Sequence, residues 1–148
     1  MMAPRVRSHI VSVRMPLPPS VNQAFASRGH SHRTMKTAAY RFWWQQVCER
    51  IGDFSKLPMF RGGKYCLWID LPAAMRGDSD NRTKLISDAL RAPGKNASGA
   101  REGLAVVIDD ADMRHHMVYL CAGLPADECV ATVVAEADWP SYVMMRMG

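Results

Sequence analysis

A chain of 148 residues, 48% of them apolar, is long enough to bury one core and too short for two. No apolar run approaches the roughly 18 residues of a membrane-spanning helix, and the first residues are too polar for a signal-peptide core, so a cytoplasmic protein is expected. Nineteen Lys and Arg against 14 Asp and Glu give a net charge of +5, which favours a polyanionic partner such as nucleic acid or an anionic membrane.

Residues 1–8 read as a loose basic leader and residues 9–148 as a single domain. His9 to Met15 alternates through Ile10, Val11, Val13 and Met15, the period of a strand. Pro16, Pro18 and Pro19 then stop it, because proline removes a ladder donor and fixes the backbone. Val21 to Arg33 is rich in Ser, Gly, Asn, Arg and His and predicts a surface loop or irregular hairpin, made cationic by Arg28, His30, His32, Arg33 and Lys36. From Thr37 to Ile51, Tyr40, Trp43, Trp44, Val47, Cys48 and Ile51 recur at helical spacing. A core-packing helix accounts for them, and the tryptophans need not stack on bases.

Beyond the turn-prone Gly52 to Gly63, the aromatic and β-branched run Lys64 to Leu71 has the character of a central strand, ended by Pro72. A second helix is predicted to start near Asp80 or Asn81, with Leu85, Ile86, Ala89 and Leu90 as its apolar stripe. Arg91 to Gly103, with Pro93 and three glycines, reads as a mobile loop. Leu104 to Ile108 reads as a short strand that ends at Asp109 and Asp110, and Arg114 to Cys121 and Cys129 to Ala135 as two more. Trp139, Tyr142 and Met144 lie in a tail that can pack on the domain or on a partner. Cys48, Cys66, Cys121 and Cys129 form no CxxC pair and have apolar neighbours, which points to buried free thiols. The sum is an α/β (α+β) domain with a small mixed sheet and two main helices.

Chemistry gathers between Gly77 and Leu90. Asp78 and Asp80, two residues apart in an extended segment, point to one side and suit a hard cation such as Mg²⁺, which takes oxygen ligands. The same carboxylates before a helix can equally cap it. Lys84 stands one turn after Asp80, and Asp88 another turn on. That spacing fits either an ion-pair ladder on a solvated face or a lysine offered to a phosphate on which charge develops. At a strand end only one of Asp109 and Asp110 faces such a site, and an ordinary acidic turn is the alternative. His115 and His116, on an alternating strand, point to opposite faces and are assigned no role.

Four blocks then occur in order: Leu17-Pro18-Pro19-Ser20-Val21-Asn22; Tyr40-Arg41; Asp78-x-Asp80-Asn81-x-x-Lys84 with Asp88-Ala89-Leu90; and Ile108-Asp109-Asp110-Ala111. Their order and spacing are far more specific than any one block. Across residues 9–135 the chain resembles the RusA family of Holliday junction resolvases, small phage- and prophage-associated endodeoxyribonucleases. The resemblance implies a homodimer with Mg²⁺ or Mn²⁺ held by catalytic carboxylates at Asp78, Asp80 and Asp110, and an essential lysine at Lys84. Asp109 is the acidic neighbour of less certain role. The substrate it implies is branched DNA, a four-way junction, with Arg28, Arg33, Lys36, Arg76 and Arg82 as candidate phosphate contacts. The chain departs from the family in a longer segment between Leu90 and Leu104 and in a basic run before the first aspartate that is reduced to Arg76. A non-catalytic junction-binding module and a flap- or fork-specific nuclease are the alternative readings. A nucleotide-sugar transferase using the DxD pattern is disfavoured by the short chain and the lack of an obvious nucleotide fold.

Overall fold

A computed structural model describes residues 5–20, 24–27, 34–75, 80–92 and 103–148. The elements run β1 (Arg7–Ser8), β2 (Ile10–Pro16), β3 (Phe25–Ser27), β4 (Thr34–Lys36), α1 (Ala38–Ile51), β5 (Met59–Phe60), β6 (Tyr65–Pro72), α2 (Asp80–Leu90), β7 (Met113–Cys121), β8 (Glu128–Ala135) and α3 (Trp139–Met147). Three short 3₁₀ turns, Phe54–Lys56, Asp110–Asp112 and Glu136–Asp138, connect them. The fold is α+β, as expected.

Its centre is a four-stranded sheet in the order β2-β8-β6-β7, antiparallel except for the parallel pair of β6 and β7. The alternation read in β2 is real: Val11, Val13 and Met15 are buried, while Ile10, Ser12 and Arg14 between them are exposed. β6 has the central place its composition predicts, and every one of its residues is buried because both faces of the sheet are covered. On one face Leu67, Ile69 and Leu71 pack with Val11, Val13 and Met15 under α1 and α2. On the other, Trp68 and Val134 pack under α3.

α1 and α2 sit where their apolar stripes direct them. Tyr40, Trp43 and Val47 of α1, and Leu85, Ile86, Ala89 and Leu90 of α2, enter the main core. Thr37 caps α1 by accepting the Tyr40 N–H at 3.3 Å, and Gly52 ends it at φ 69, a backbone region that favours glycine. The Trp43 indole N–H donates to the Pro16 carbonyl at 2.9 Å and fastens α1 to the end of β2.

Several expectations change. Arg5 to Ser8, assigned to a loose leader, is tied to the domain: β1 pairs in parallel with β5, and the Arg5 guanidinium donates to the Leu57 carbonyl at 2.7 Å. One expectation is narrowed, not changed: of the loop and the irregular hairpin read around the cationic residues, the antiparallel pairing of β3 with β4 agrees with the hairpin. A third helix, α3, forms in the tail, where Trp139, Tyr142 and Val143 recur at helical spacing against Trp68. Three exposed methionines on the same segment, Met144, Met145 and Met147, blur that period in the sequence. Residues 93–102 of the expected mobile loop lie outside the described residues.

Leu104 to Ile108 is not a strand. The N–H groups of Leu104, Ala105, Val106 and Val107 donate to the carbonyls of Ala89, Arg91 and Leu90 at 2.8–3.1 Å. The segment's donors therefore satisfy the orphan carbonyls at the end of α2, and only Val107 makes a ladder bridge, to Arg91. Leu104, Val106 and Val107 are buried by the same packing. All four cysteines are free thiols, with Cys66 and Cys129 buried and Cys48 and Cys121 half-buried. Burial pushes the Cys129 thiol up to about 12, which keeps it protonated and unreactive. Among the described residues no helix is long and apolar enough to cross a membrane.

Candidate active site

Burial of Leu85, Ile86, Ala89 and Leu90 fixes the rotation of α2 about its axis and leaves Lys84 exposed and Asp88 half-buried. Between this side of the helix and the start of β7 runs a groove of about 470 Å³, lined by Thr83, Lys84, Ser87, Asp88, Asp110, Met113 and His116. Asp110 comes to it from the 3₁₀ turn that precedes β7. Its neighbour is engaged elsewhere: the Asp109 carboxylate accepts the Ala111 N–H at 2.9 Å and caps that turn. Local hydrogen bonding thus separates the two aspartates into a cap and a groove residue.

A chain of alternating charge crosses the groove. The Lys84 Nζ lies 3.1 Å from Asp88 Oδ2, and the Arg91 guanidinium stands 3.9 Å from Asp88 Oδ1 and 3.5 Å from Asp110 Oδ2. Arg91 is held for this by the backbone, since its carbonyl accepts the Ala105 N–H at 3.1 Å. The acidic turn is also felt in the core: Tyr65 is pushed up to about 12, first by burial and then by Asp110, Asp112 and Asp109.

Of the other candidates, Asp80 is the first residue of α2, one turn before Lys84, and Lys36 is the last residue of β4. Asp78, Arg28, Arg33 and Arg76 lie outside the described residues. Arg82, a candidate phosphate contact, also has a structural part. It is half-buried, its guanidinium donates to the Pro18 carbonyl and ties α2 to the Pro-rich segment, burial lowers its pKa, and it is not among the residues that line the groove.

Four polar groove residues had no assigned part: Thr83, Ser87, Asp88 and His116. Thr83 with Ser87 and Lys84 with Asp88 are i,i+4 pairs, a signal the sequence contains. His116 is different, because it reaches the groove only through the parallel register that sets it beside Leu67. Among the described residues no group of three or more His, Cys, Asp or Glu is placed to hold a metal ion. The donors present are nonetheless of the right kind for Mg²⁺ or Mn²⁺: two carboxylates, no thiolate and one imidazole line the groove. No protein-family model matches the chain, and no curated protein matches it.

Proposed function

We propose that the chain is a metal-dependent endodeoxyribonuclease acting on four-way DNA junctions, as its resemblance to the RusA family implies. The observation that carries this reading is the groove in which Lys84 and Asp88 of α2 meet Asp110, a residue brought from a separate turn across the start of β7. A helix-capping role for the first aspartates gives no reason for that convergence.

Asp78, Asp80 and Asp110 are the residues that hold Mg²⁺ or Mn²⁺ in this reading. When bound, the ion supplies Lewis-acid activation of water and neutralises charge on the phosphodiester. Lys84 takes a non-bridging phosphate oxygen and stabilises the negative charge that builds there. Asp88 orients the Lys84 ammonium, and Arg91 bridges Asp88 and Asp110. A cytoplasmic homodimer presents two such grooves, and a junction of approximate two-fold symmetry receives paired nicks.

The experiment compares labelled four-way, flap and duplex DNA with Mg²⁺ and with EDTA, for the wild type and Asp80→Asn. Paired nicks confined to the four-way junction and dependent on Mg²⁺ are expected, with Asp80→Asn binding the junction but not cutting it. Wild-type nicking by Asp80→Asn sinks the assignment. Binding without nicks under any condition replaces the enzyme with a junction-binding module, and equal cutting of flaps widens the substrate class.

A further inference from the structure

At the edge of the sheet away from the groove, β2 and the end of α1 enclose a second cavity, of about 290 Å³. Its walls include Ser12 and Arg14 of β2, Arg50 from the last turn of α1, and Asp53 and Lys56 from the turn that follows. The ladder decides which backbone groups of β2 face it. In an antiparallel pair, residues that bond the neighbouring strand alternate with residues whose N–H and C=O point away from it. The Ala135 N–H donates to the His9 carbonyl at 3.0 Å and the Leu17 N–H to the Asp127 carbonyl at 2.8 Å, and no register shift interrupts the ladder between them. The odd-numbered residues of β2 therefore bond β8, and Ile10, Ser12, Arg14 and Pro16 turn their backbone groups to the open edge.

Both ends of that edge are occupied. The Ile10 N–H donates to Ser8 Oγ at 3.3 Å, and Pro16, which has no N–H, offers its carbonyl to the Trp43 indole at 2.9 Å. Between them the N–H groups of Ser12 and Arg14, about 7 Å apart, face the cavity. Positive charge gathers at the same place. The Arg5 guanidinium donates at 2.7 and 3.4 Å to the carbonyls of Leu57 and Pro58, residues of the wall, and with Arg14, Arg50 and Lys56 it makes four cations. Two acids oppose them, and both are committed. Asp53 Oδ1 accepts the Ser55 N–H and hydroxyl at 3.0 and 2.7 Å, and Glu128 lies between Arg50 at 2.5 Å and Arg14 at 3.5 Å.

We propose that this cavity holds a backbone phosphate from a duplex arm of the DNA, an inference that rests on the nucleic-acid substrate proposed above and adds a second place where the chain grips it. Backbone N–H groups and the side chains of arginine and lysine are the donors that phosphate oxygens take. A volume of roughly ten waters admits a phosphate with its sugar. An added peptide strand does not fit: the free stretch offers two outward-facing residues where a strand runs to about five, and Arg14 and Pro16 guard the edge. β2 lies three strands from β7, roughly 14 Å across the sheet, so the phosphate held here is not the one cut in the groove. The site positions an arm and reads no base.

Replacing Arg14 and Lys56 together by alanine tests this, because both are exposed and Arg50 stays with Glu128. Anisotropy titrations in EDTA, on an uncut four-way junction and on a plain duplex, are expected to give a salt slope shallower by about 0.9 on both DNAs, the loss of one phosphate contact, with binding roughly tenfold weaker near 100 mM salt. Arg14→Lys with Lys56→Arg keeps the wild-type slope. Ethylation of single phosphates then maps the contact: alkylation at two separate places on the junction weakens wild-type binding, and the alanine pair is indifferent at one of them. A wild type that binds neither DNA, a slope or an interference pattern unchanged by the alanine pair, or a loss seen on the junction and not on the duplex overturns the proposal. These are binding measurements without metal, so a chain that shows the lost contact yet never nicks DNA refutes the nuclease reading and keeps this site.

Discussion

On the proposed function Lys84 carries two roles whose energies differ enough to be told apart. As the exposed partner of Asp88 at 3.1 Å it contributes about 0.3–0.5 kcal/mol to stability. As the cation facing a phosphate in the transition state, the role proposed for it, it would contribute about 3 kcal/mol to the rate, the scale of one preorganised donor. Lys84→Ala is therefore expected to slow single-turnover nicking about a hundredfold while the melting temperature moves by less than about 2 °C. A loss confined to junction affinity makes Lys84 a phosphate contact. Cys129 and Tyr65 set a different limit. Both are held at about 12 in the fold, against ordinary values of 9.0 and 10.0, mainly because burial penalises their charged forms. In the unfolded chain they ionise near the ordinary values, so as pH rises the unfolded state loses protons first. The stability tied to the neutral groups is whole below pH 9 and falls towards pH 12, by up to about 1.4 kcal/mol per pH unit for each group. Melting temperature should drop above pH 9 in the wild type, and Cys129→Ala should move the onset to about pH 10, where Tyr65 takes over.

At the scale of elements, α3 depends on tertiary contacts because nine residues are too few for a stable isolated helix. Its anchor is the pair between Arg146 and Asp70, the latter 5% exposed in the middle of β6. The guanidinium donates to both carboxylate oxygens at 3.1 and 2.5 Å, the Trp68 indole N–H adds a third bond at 3.0 Å, and Tyr142 Oη accepts from Arg146 at 3.1 Å. The same guanidinium lies 4.8 Å from the Trp68 ring centre. The hydrogen bond to Asp70 holds the Arg146 proton above its ordinary affinity. Arg146→Met leaves a buried carboxylate without its counter-charge and is expected to lose about 3 kcal/mol in urea unfolding, the lower end for such pairs because Arg146 is partly exposed. Adding Asp70→Asn should recover part of that loss; strictly additive losses show the pair to be uncoupled. This anchor also marks how far the sequence can be read. β2, β6, α1 and α2 are legible because each carries its own period, as in Val11, Val13 and Met15 or in Leu85, Ile86, Ala89 and Leu90. Asp70 looks like a stray charge in a strand until Arg146 arrives from 76 residues away. Leu104 to Ile108 reads as a strand because an apolar run does not reveal whether its N–H groups meet a sheet or a helix end. At the groove, Lys84 with Asp88 is visible as a helical pair, whereas Arg91 bridging to Asp110 and His116 beside Leu67 require the tertiary register.

For the whole molecule the governing quantity is charge. Several described acids already have basic partners: Glu128 meets Arg14 at 3.5 Å and Arg50 at 2.5 Å, Asp112 meets Lys64 at 3.6 Å, and Glu136 meets Arg114 at 3.8 Å. However the rest are arranged, 19 basic residues against 14 acidic ones leave five cations that no one-to-one pairing neutralises. If those five cations each displace a counterion from a DNA phosphate, the logarithm of the binding constant falls against the logarithm of salt with a slope of roughly −4.5. Between 50 and 200 mM monovalent salt that is a loss of about 500-fold. Anisotropy titrations of an uncut four-way junction in EDTA, where binding is separated from cutting, should give this slope. A plain duplex should give a similar slope at weaker affinity, because phosphate contacts carry the salt dependence and branch geometry carries the preference. A slope near zero on both DNAs would assign the basic surplus to some other anion and remove the electrostatic support for a nucleic-acid substrate.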